Sequence, residues 1–235
     1  MEVEIWSDVM CPFCYIGKRK FEAALAQFPH AEKVEVTWKS FQLNPDMPTD
    51  PGKNIHQYLA EVKGWSLEQA REMNDRVTDM ARQVGLTYHF DRAVVANSFD
   101  AHRLLQLAKR HGLGDALEER LFRAYFTEGK NTADPTTLLE LGQEIGLDAD
   151  EIRTMLAGDQ YADAVERDIY ESRQIGVRGV PFFVFDRKYA VSGAQESAWF
   201  LQVLEKSFAE WQDALPQVTL DNPDGDSCTV DGDCG

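Results

Sequence analysis

Cysteine is scarce in this sequence, with four residues among 235, too few to build a scaffold from disulfides. They fall in two close pairs at opposite ends, Cys11 with Cys14 and Cys228 with Cys234, which points to chemistry more than to stapling. No second C-x-x-C and no nearby pair of histidines follows the first pair, so zinc, which needs four ligands, is the weaker reading of Cys11 and Cys14. Positive charge is also short: 24 Lys and Arg stand against 40 Asp and Glu, a formal charge of −16. Such a surface repels phosphate backbones and anionic lipid, which argues against nucleic-acid and membrane partners. No apolar run is long enough to span a bilayer, although 43% of the residues are hydrophobic, enough for a sizeable core. Met1-Glu2-Val3-Glu4 is acidic and enters a strand at once, so no signal peptide is expected and a reducing cytosol is the expected compartment. No internal repeat is present.

What is there begins with Cys11-Pro12-Phe13-Cys14. Val3 to Trp6 reads as a strand, and Tyr15 to Phe28 reads as a helix. Two cysteines at the start of a helix place one sulfur near unpaired backbone N–H groups, where the helix dipole favours a thiolate. Pro12 suits the first helical turn, because its missing N–H would have had no partner there. A C-x-x-C between strand and helix is a thioredoxin-like redox motif.

Val34, Val36 and Trp38 alternate with Glu35 and Thr37, the pattern of a half-buried strand running on to Phe41 and Leu43. Asn44 to Gly52, with three prolines and a glycine, breaks it and marks a boundary. From Asn54 to Gly158 every periodic segment is helical. Ile55, Tyr58, Leu59 and Val62 form one stripe. Met73, Val77, Met80 and Val84 form another, read as packing, behind a Ser66–Gln69 capping box. A third helix carries Ala101, Leu104, Leu105 and Ala108 and ends near Gly112. Asp115 with Glu118 reads as the cap of a fourth, Asp134-Pro135 opens a fifth, and Ile152, Met155 and Leu156 mark a sixth. After Gly158 a helix with Tyr161, Val165 and Ile169 leads to a hairpin, Phe182 to Phe185 and Tyr189 to Val191, turned by Asp186-Arg187-Lys188. The last helix presents Trp199, Phe200, Val203, Leu204, Phe208 and Trp211 to the sheet.

These motifs together resemble the DsbA family of thiol-disulfide oxidoreductases, most closely its cytosolic FrnE-like branch. The residues that carry the resemblance are Asp8 through Gly17, Phe41-Gln42-Leu43, Asn97 with Ala101-His102-Arg103, Gly176 through Phe183, and Ser192-Gly193. It covers residues 1 to about 210. It implies an α/β fold of thioredoxin type with an all-helical insertion domain after the second strand: residues 1–50 and 159–215 as the discontinuous thioredoxin-like domain and 51–158 as the insertion. Residues 216–235 lose periodicity and are rich in Asp with no Lys or Arg after Asp221, and are expected to be an acidic flexible tail. Cys11 is then the attacking thiolate and Cys14 the buried resolving thiol. Pro181 is expected to be cis against the cysteines, with Val180 offering its backbone to an extended chain. Asp8 holds a position where related proteins often keep a buried acid that moves protons for the resolving cysteine, though a capping role fits it equally. Asn97 and His102 are further candidates to line the site, although a lone helical histidine is more often simply packed.

The tail holds Cys228 and Cys234 with five residues between them, including Asp231-Gly232, a turn-former. This pair is read as an auxiliary redox pair that shuttles disulfides with Cys11 or Cys14. A weak soft-metal site is the alternative there.

The expected function is therefore a cytosolic protein disulfide reductase or isomerase with no cofactor beyond its own cysteines. Its substrates are disulfide-containing proteins or peptides, and its electrons come from a thiol donor such as thioredoxin or glutathione. Two other readings stand beside it: a glutathione-dependent transferase or isomerase, and a redox or soft-metal stress sensor. Phe13 cannot donate to the Cys11 thiolate as a histidine would. A redox titration of the protein without its tail cysteines should therefore give a potential below the roughly −120 mV of DsbA, toward thioredoxin. A value at or above that of DsbA would contradict this reading of Phe13.

Overall fold

In the computed structural model, which describes residues 1–214, strand β1 (Glu2–Ser7) feeds helix α1 (Pro12–Leu25), and strand β2 (Glu35–Ser40) follows. Cys228 and Cys234 lie outside the described residues. Next come β3 (Asp50–Asn54), α2 (Ile55–Lys63), α3 (Leu67–Gln83), β4 (Val94–Val95), α4 (Phe99–Arg110), α5 (Gly114–Phe122), α6 (Pro135–Glu144), α7 (Ala149–Ala157) and α8 (Ala162–Gln174). The chain then returns to sheet with β5 (Phe182–Phe185) and β6 (Tyr189–Ser192) and closes with α9 (Ser197–Asp213).

The main sheet runs in the order β2-β1-β5-β6. β1 pairs in parallel with β2, Val3 opposite Val36 and Ser7 opposite Ser40, and antiparallel with β5, Ile5 opposite Phe183. β1 is central, and Val3, Ile5 and Trp6 are all fully buried, because helices cover both faces of the sheet. The β5–β6 hairpin turns through Asp186 and Arg187 with φ of 47° and 54°, the left-handed geometry that tight hairpins require. This is the thioredoxin-like architecture with a helical insertion after the second strand.

Side-chain caps set the starts of α2, α3, α6 and α7. Ser66 accepts from the Gln69 amide while the Gln69 side chain accepts from the Ser66 amide, closing the capping box ahead of α3. Asn54 and Gln57 make a second box ahead of α2. Asp134 accepts from the Thr137 amide, and Pro135 occupies the first turn of α6. Arg103 of α4, almost fully buried, donates to the Gln160 carbonyl at 2.9 Å, to the Gly158 carbonyl at 2.6 Å and to the Met155 carbonyl. It thereby satisfies the carbonyls at the end of α7, where the chain turns back toward the sheet. Asp168 of α8 accepts from the Ser40 amide at 3.0 Å and the Gln106 side chain at 2.7 Å, and its own carbonyl accepts from the Trp6 indole at 2.9 Å. One residue thus ties α8, β1, β2 and α4 together.

Several sequence expectations are corrected. The insertion is not wholly helical: β3 and β4 pair antiparallel, Asp50 opposite Val95, so the proline-rich stretch ends in an irregular strand. β2 stops at Ser40, and α1 ends at Leu25. Asp115 and Glu118 do not cap α5, whose N-cap is Leu113 with no side-chain bond. They have long-range partners: Asp115 accepts from the Trp38 indole at 3.0 Å, and Glu118 is bonded by Ser7. Met73 and Met80 are each 38% exposed, and Trp199 is 53% exposed, so they are not core. Phe200, Leu204, Ser207 and Phe208 are the buried residues of α9, and Val203 and Trp211 pack partly buried against the same core.

Candidate active site

The end of β1 and the start of α1 position the cysteines. Cys11 is the N-cap of α1, and its amide donates to the Asp8 carbonyl at 2.9 Å. Pro12 fills the first turn, and the Cys14 amide donates back to the Cys11 carbonyl at 3.0 Å. Cys14 therefore points inward and is fully buried, whereas Cys11 lies at the surface of a groove and is 3% exposed. Both are thiols in this structure. Phe13, 37% exposed, stands at the groove mouth.

The Val180–Pro181 bond is cis. The Val180 carbonyl accepts from Cys11 Sγ at 3.4 Å, so the loop before β5 and the motif meet across the site. Gly17 makes this approach possible. A Cβ there would lie 2.9 Å from Pro181 Cγ, 3.4 Å from Phe183 Cζ and 3.5 Å from Ala194 Cβ, and a proline ring has little freedom to give way. The Pro181 carbonyl in turn accepts from the Gly193 amide at 2.8 Å, which fixes the loop to the far end of the hairpin.

Aromatic rings from the insertion wall the other side. Tyr15 stacks on Phe122 at 4.9 Å, and Tyr88 stacks on Phe126 at 4.6 Å. The Tyr88 hydroxyl donates to the Pro12 carbonyl at 2.8 Å. Burial first, then the charges of Cys11, Tyr15 and Cys14, push its ionisation up, so it stays a donor. Burial likewise pushes the Cys14 thiol well up, helped by Cys11 and opposed by the Asp8 amide and the Ser7 hydroxyl. Glu118 accepts from Ser7 Oγ at 2.6 Å. Burial raises its carboxyl from an ordinary 4.5 to about 7 against the pull of Ser7, His102 and Lys18. Lys18 is itself buried; that burial works against its charge, but Asp115 at 3.0 Å and Glu22 outweigh it.

The groove beside Cys11 holds about 430 Å³ and runs between the motif and Val180 on one side and α2 and α3 on the other. Tyr58, Leu59, Val62, Met73 and Val77 form the far wall, and Leu43 and Met47 close one end. Asp8 and Lys63 are the charged residues of its lining. Leu43 and Val62 are more than half exposed, so the mouth is as apolar as the interior.

The structure brings Cys11, Cys14, Pro12, Phe13, Val180 and Pro181 together. Asp8 sits beneath the motif with a different set of contacts from those of a free acid: Oδ2 accepts from the Leu43 amide at 2.8 Å, and Oδ1 faces the Met10 amide and His102 Nε2 at 3.5 Å. His102 is fully buried beside it. Asn97 lies apart from the cysteines. It bonds Gln42 and the Pro45 and Met47 carbonyls, and so pins the loop that forms the groove end. Sequence reading missed Ser7, Tyr88 and Glu118 as site residues. Only the polar Ser7-Asp8 pair on an apolar strand offered a signal, and Glu118 is 111 positions from its partner.

Comparison with known proteins agrees with this geometry. Residues 2–205 match the family described as the DSBA-like thioredoxin domain. The crystal structure of a probable DsbA oxidoreductase from Streptomyces coelicolor is 41% identical with a TM-score of 0.85, covering 100% of this chain and 98% of that one. An uncharacterised Bacillus subtilis protein, YwbO, is 28% identical over 192 residues, 78% of this chain and 86% of its own length. The cytosolic disulfide reductase DsbM of Pseudomonas aeruginosa shares the fold at 18% identity and a TM-score of 0.61, over 91% of this chain and 98% of that one. DsbM also has a structure with GSH.

Gly17→Ala should cost about 1–3 kcal/mol of unfolding free energy, as overpacking of a tight contact does, and should lower disulfide-exchange activity by moving Pro181. Denaturant titration and an exchange assay measure both. Unchanged stability and activity would show that the close approach is not required.

Proposed function

The chain belongs to the DSBA-like thioredoxin domain family and is a thiol-disulfide oxidoreductase, and from that premise we propose that it reduces or isomerises disulfides of extended polypeptides, with Cys11 as nucleophile and Cys14 as resolving thiol. The observation that carries this reading is the asymmetry of the pair. Cys11 lies at an apolar groove with its sulfur 3.4 Å from the Val180 carbonyl, and Cys14 is sealed behind it. A substrate disulfide in the groove meets Cys11 first, and Cys14 then attacks the Cys11 sulfur of the mixed disulfide from inside, forming the Cys11–Cys14 bond and releasing the substrate thiolate.

The same division of the chain follows: 1–50 and 159–215 as the thioredoxin-like part, and 51–158 as the insertion that supplies the groove wall. All four strands of the main sheet come from the former, and Tyr58, Met73 and Val77 from the latter. The lining, with Asp8 and Lys63 as its charges, suits an apolar polypeptide segment better than glutathione, whose two carboxylates need cationic partners. Glutathione or thioredoxin then serves as the electron donor. We place the reaction in the reducing cytosol, the compartment of the DsbM reductase that shares the fold, and within the FrnE-like branch on the motifs around Phe41 and Gly176. There the pair rests as a dithiol and requires no cofactor. Cys228 and Cys234 are assigned an auxiliary shuttle role.

Insulin reduction with a dithiol donor tests the assignment in one series of variants. Cys11→Ala should abolish turnover, Cys14→Ala should reduce it by at least about tenfold, and the double change of Cys228 and Cys234 to Ala should lower multiple turnover while sparing the first. Full activity in Cys14→Ala would favour a single-cysteine, glutathione-linked reaction instead.

A further inference from the structure

The first turn of α1 offers the Cys11 sulfur few hydrogen-bond donors. Cys11 is the N-cap of α1, the place from which a side chain reaches the amides two and three residues on. Pro12 has no N–H, and the Cys14 amide is taken by the Cys11 carbonyl at 3.0 Å. The Phe13 amide has no acceptor among the described residues, so it is the one left for a thiolate at Cys11. That amide shares its peptide group with the Pro12 carbonyl, and the Pro12 carbonyl accepts from the Tyr88 hydroxyl at 2.8 Å. The exchange reaction described so far makes no use of this bond.

Tyr88 is held on every side. The Thr87 carbonyl before it accepts from Thr127 Oγ1 at 2.7 Å, and the His89 amide after it donates to the Phe126 carbonyl at 2.7 Å. Phe126 and Thr127 belong to a π-helical turn, Arg123–Glu128, a form that is rare in helices and frequent at functional sites. The Tyr88 ring stacks on Phe126 at 4.6 Å, meets Phe90 edge-on at 5.6 Å and is 4% exposed. Its hydroxyl is therefore aimed at the motif by the insertion.

We propose that Tyr88 is a positioning residue that sets the redox poise of the Cys11–Cys14 pair, by polarising the Pro12–Phe13 peptide and so strengthening the amide offered to the Cys11 thiolate. This rests on Cys11 being the nucleophile. Hydrogen bonds that share a peptide group reinforce one another away from water, and a bond to a charged acceptor gains most. In the thiol form Cys11 Sγ donates to the Val180 carbonyl, and the polarised amide has no charge to act on. Tyr88 thus favours the ionised dithiol over the disulfide, and a more stable reduced form makes the pair a stronger oxidant. Phe13 brings no polar side chain to the motif, and the insertion supplies a donor in its place.

The other titratable groups that line the groove with Cys11 are Asp8 ahead of α1, Tyr58 and Lys63 of α2, and Tyr125 of the π-helical turn. The lining residues of α3 and of the loop before β5, Met73, Asn74, Val77, Gly179 and Val180, carry no charge. Burial raises the ionisation of Cys14, Tyr88 and Tyr125, so these groups keep their protons as Cys11 ionises. The effect of Tyr88 should accordingly follow the charge on Cys11 alone.

The full chain carrying Cys228→Ala and Cys234→Ala, with and without Tyr88→Phe, would be equilibrated with glutathione and its disulfide from about pH 5 to about pH 9, a range that brackets an ordinary thiol. In this equilibrium one glutathione disulfide gains two electrons and becomes two thiols, while Cys11 and Cys14 lose two and join. Comparison of the two proteins at each pH cancels the titration of glutathione. At the alkaline end Tyr88→Phe should lower the dithiol-to-disulfide ratio at least about threefold, a fall of about 14 mV. The difference should shrink toward acid as Cys11 is protonated. Tyr88→Leu carries the test if Tyr88→Phe does not fold. A smaller change at the alkaline end, or a ratio lowered equally across the range as a merely structural bond would do, would overturn the proposal. Mapping the first site alkylated by iodoacetamide checks the premise separately: modification of Cys14 ahead of Cys11 would overturn the reading of Cys11 as nucleophile.

Discussion

The site depends on one close approach, that of the Pro181 ring to Gly17. It lets the loop before β5 lie flat on the first turns of α1, and so delivers the Val180 carbonyl to the Cys11 sulfur. Neither partner is free to move: Gly17 is inside α1, and Pro181 is tied through its carbonyl to Gly193. Cys11 consequently has a fixed orientation toward the groove, and Cys14, one helical turn later, is forced into the interior. The chemical difference between two identical side chains follows from that geometry. One thiol is at the groove, and the other is raised in pKa by burial.

Around this contact the two parts of the chain divide the work. The strands fix the cysteines and the cis-proline loop in register, with central β1 locked by its pairing to β2 and β5 and by the Asp168 hub. The inserted helices shape what surrounds them. The stacked rings of Tyr15, Phe122, Tyr88 and Phe126 build a wall that holds Pro12 through the Tyr88 hydroxyl, and α2 and α3 provide the apolar face opposite Cys11. Because Glu118 reaches Ser7 from α5, the underside of the motif is also completed from the insertion.

Much of this was legible in the sequence, for reasons that are local. Ser66 with Gln69 and Asp134 with Pro135 are self-contained cap signals, and they sit where the spacing placed them. The C-x-x-C after an apolar strand, with Val180-Pro181 ahead of a β-branched and aromatic run, identified both halves of the site. What was misread had non-local causes. Asp115 and Glu118 have the spacing of a cap, yet Trp38 and Ser7 claim them instead: Glu118 is buried with Ser7 of β1, and the exposed Asp115 accepts from the Trp38 indole of β2. Met73 has the periodicity of core, but the surface its helix faces is a groove. The short β3–β4 pair is hidden by the prolines and glycine around it. Tyr88 and Glu118 enter the site only through tertiary contacts that no spacing in the chain records.

The division of labour between the two thiols is tested most directly by trapping. The Cys14→Ala protein would be mixed with a scrambled, disulfide-bonded polypeptide, and the covalent adduct mapped by mass spectrometry after proteolysis. A stable mixed disulfide between Cys11 and a substrate cysteine is expected, with none accumulating in the Cys11→Ala protein. An adduct formed equally well without Cys11, or the absence of any adduct in Cys14→Ala, would contradict it.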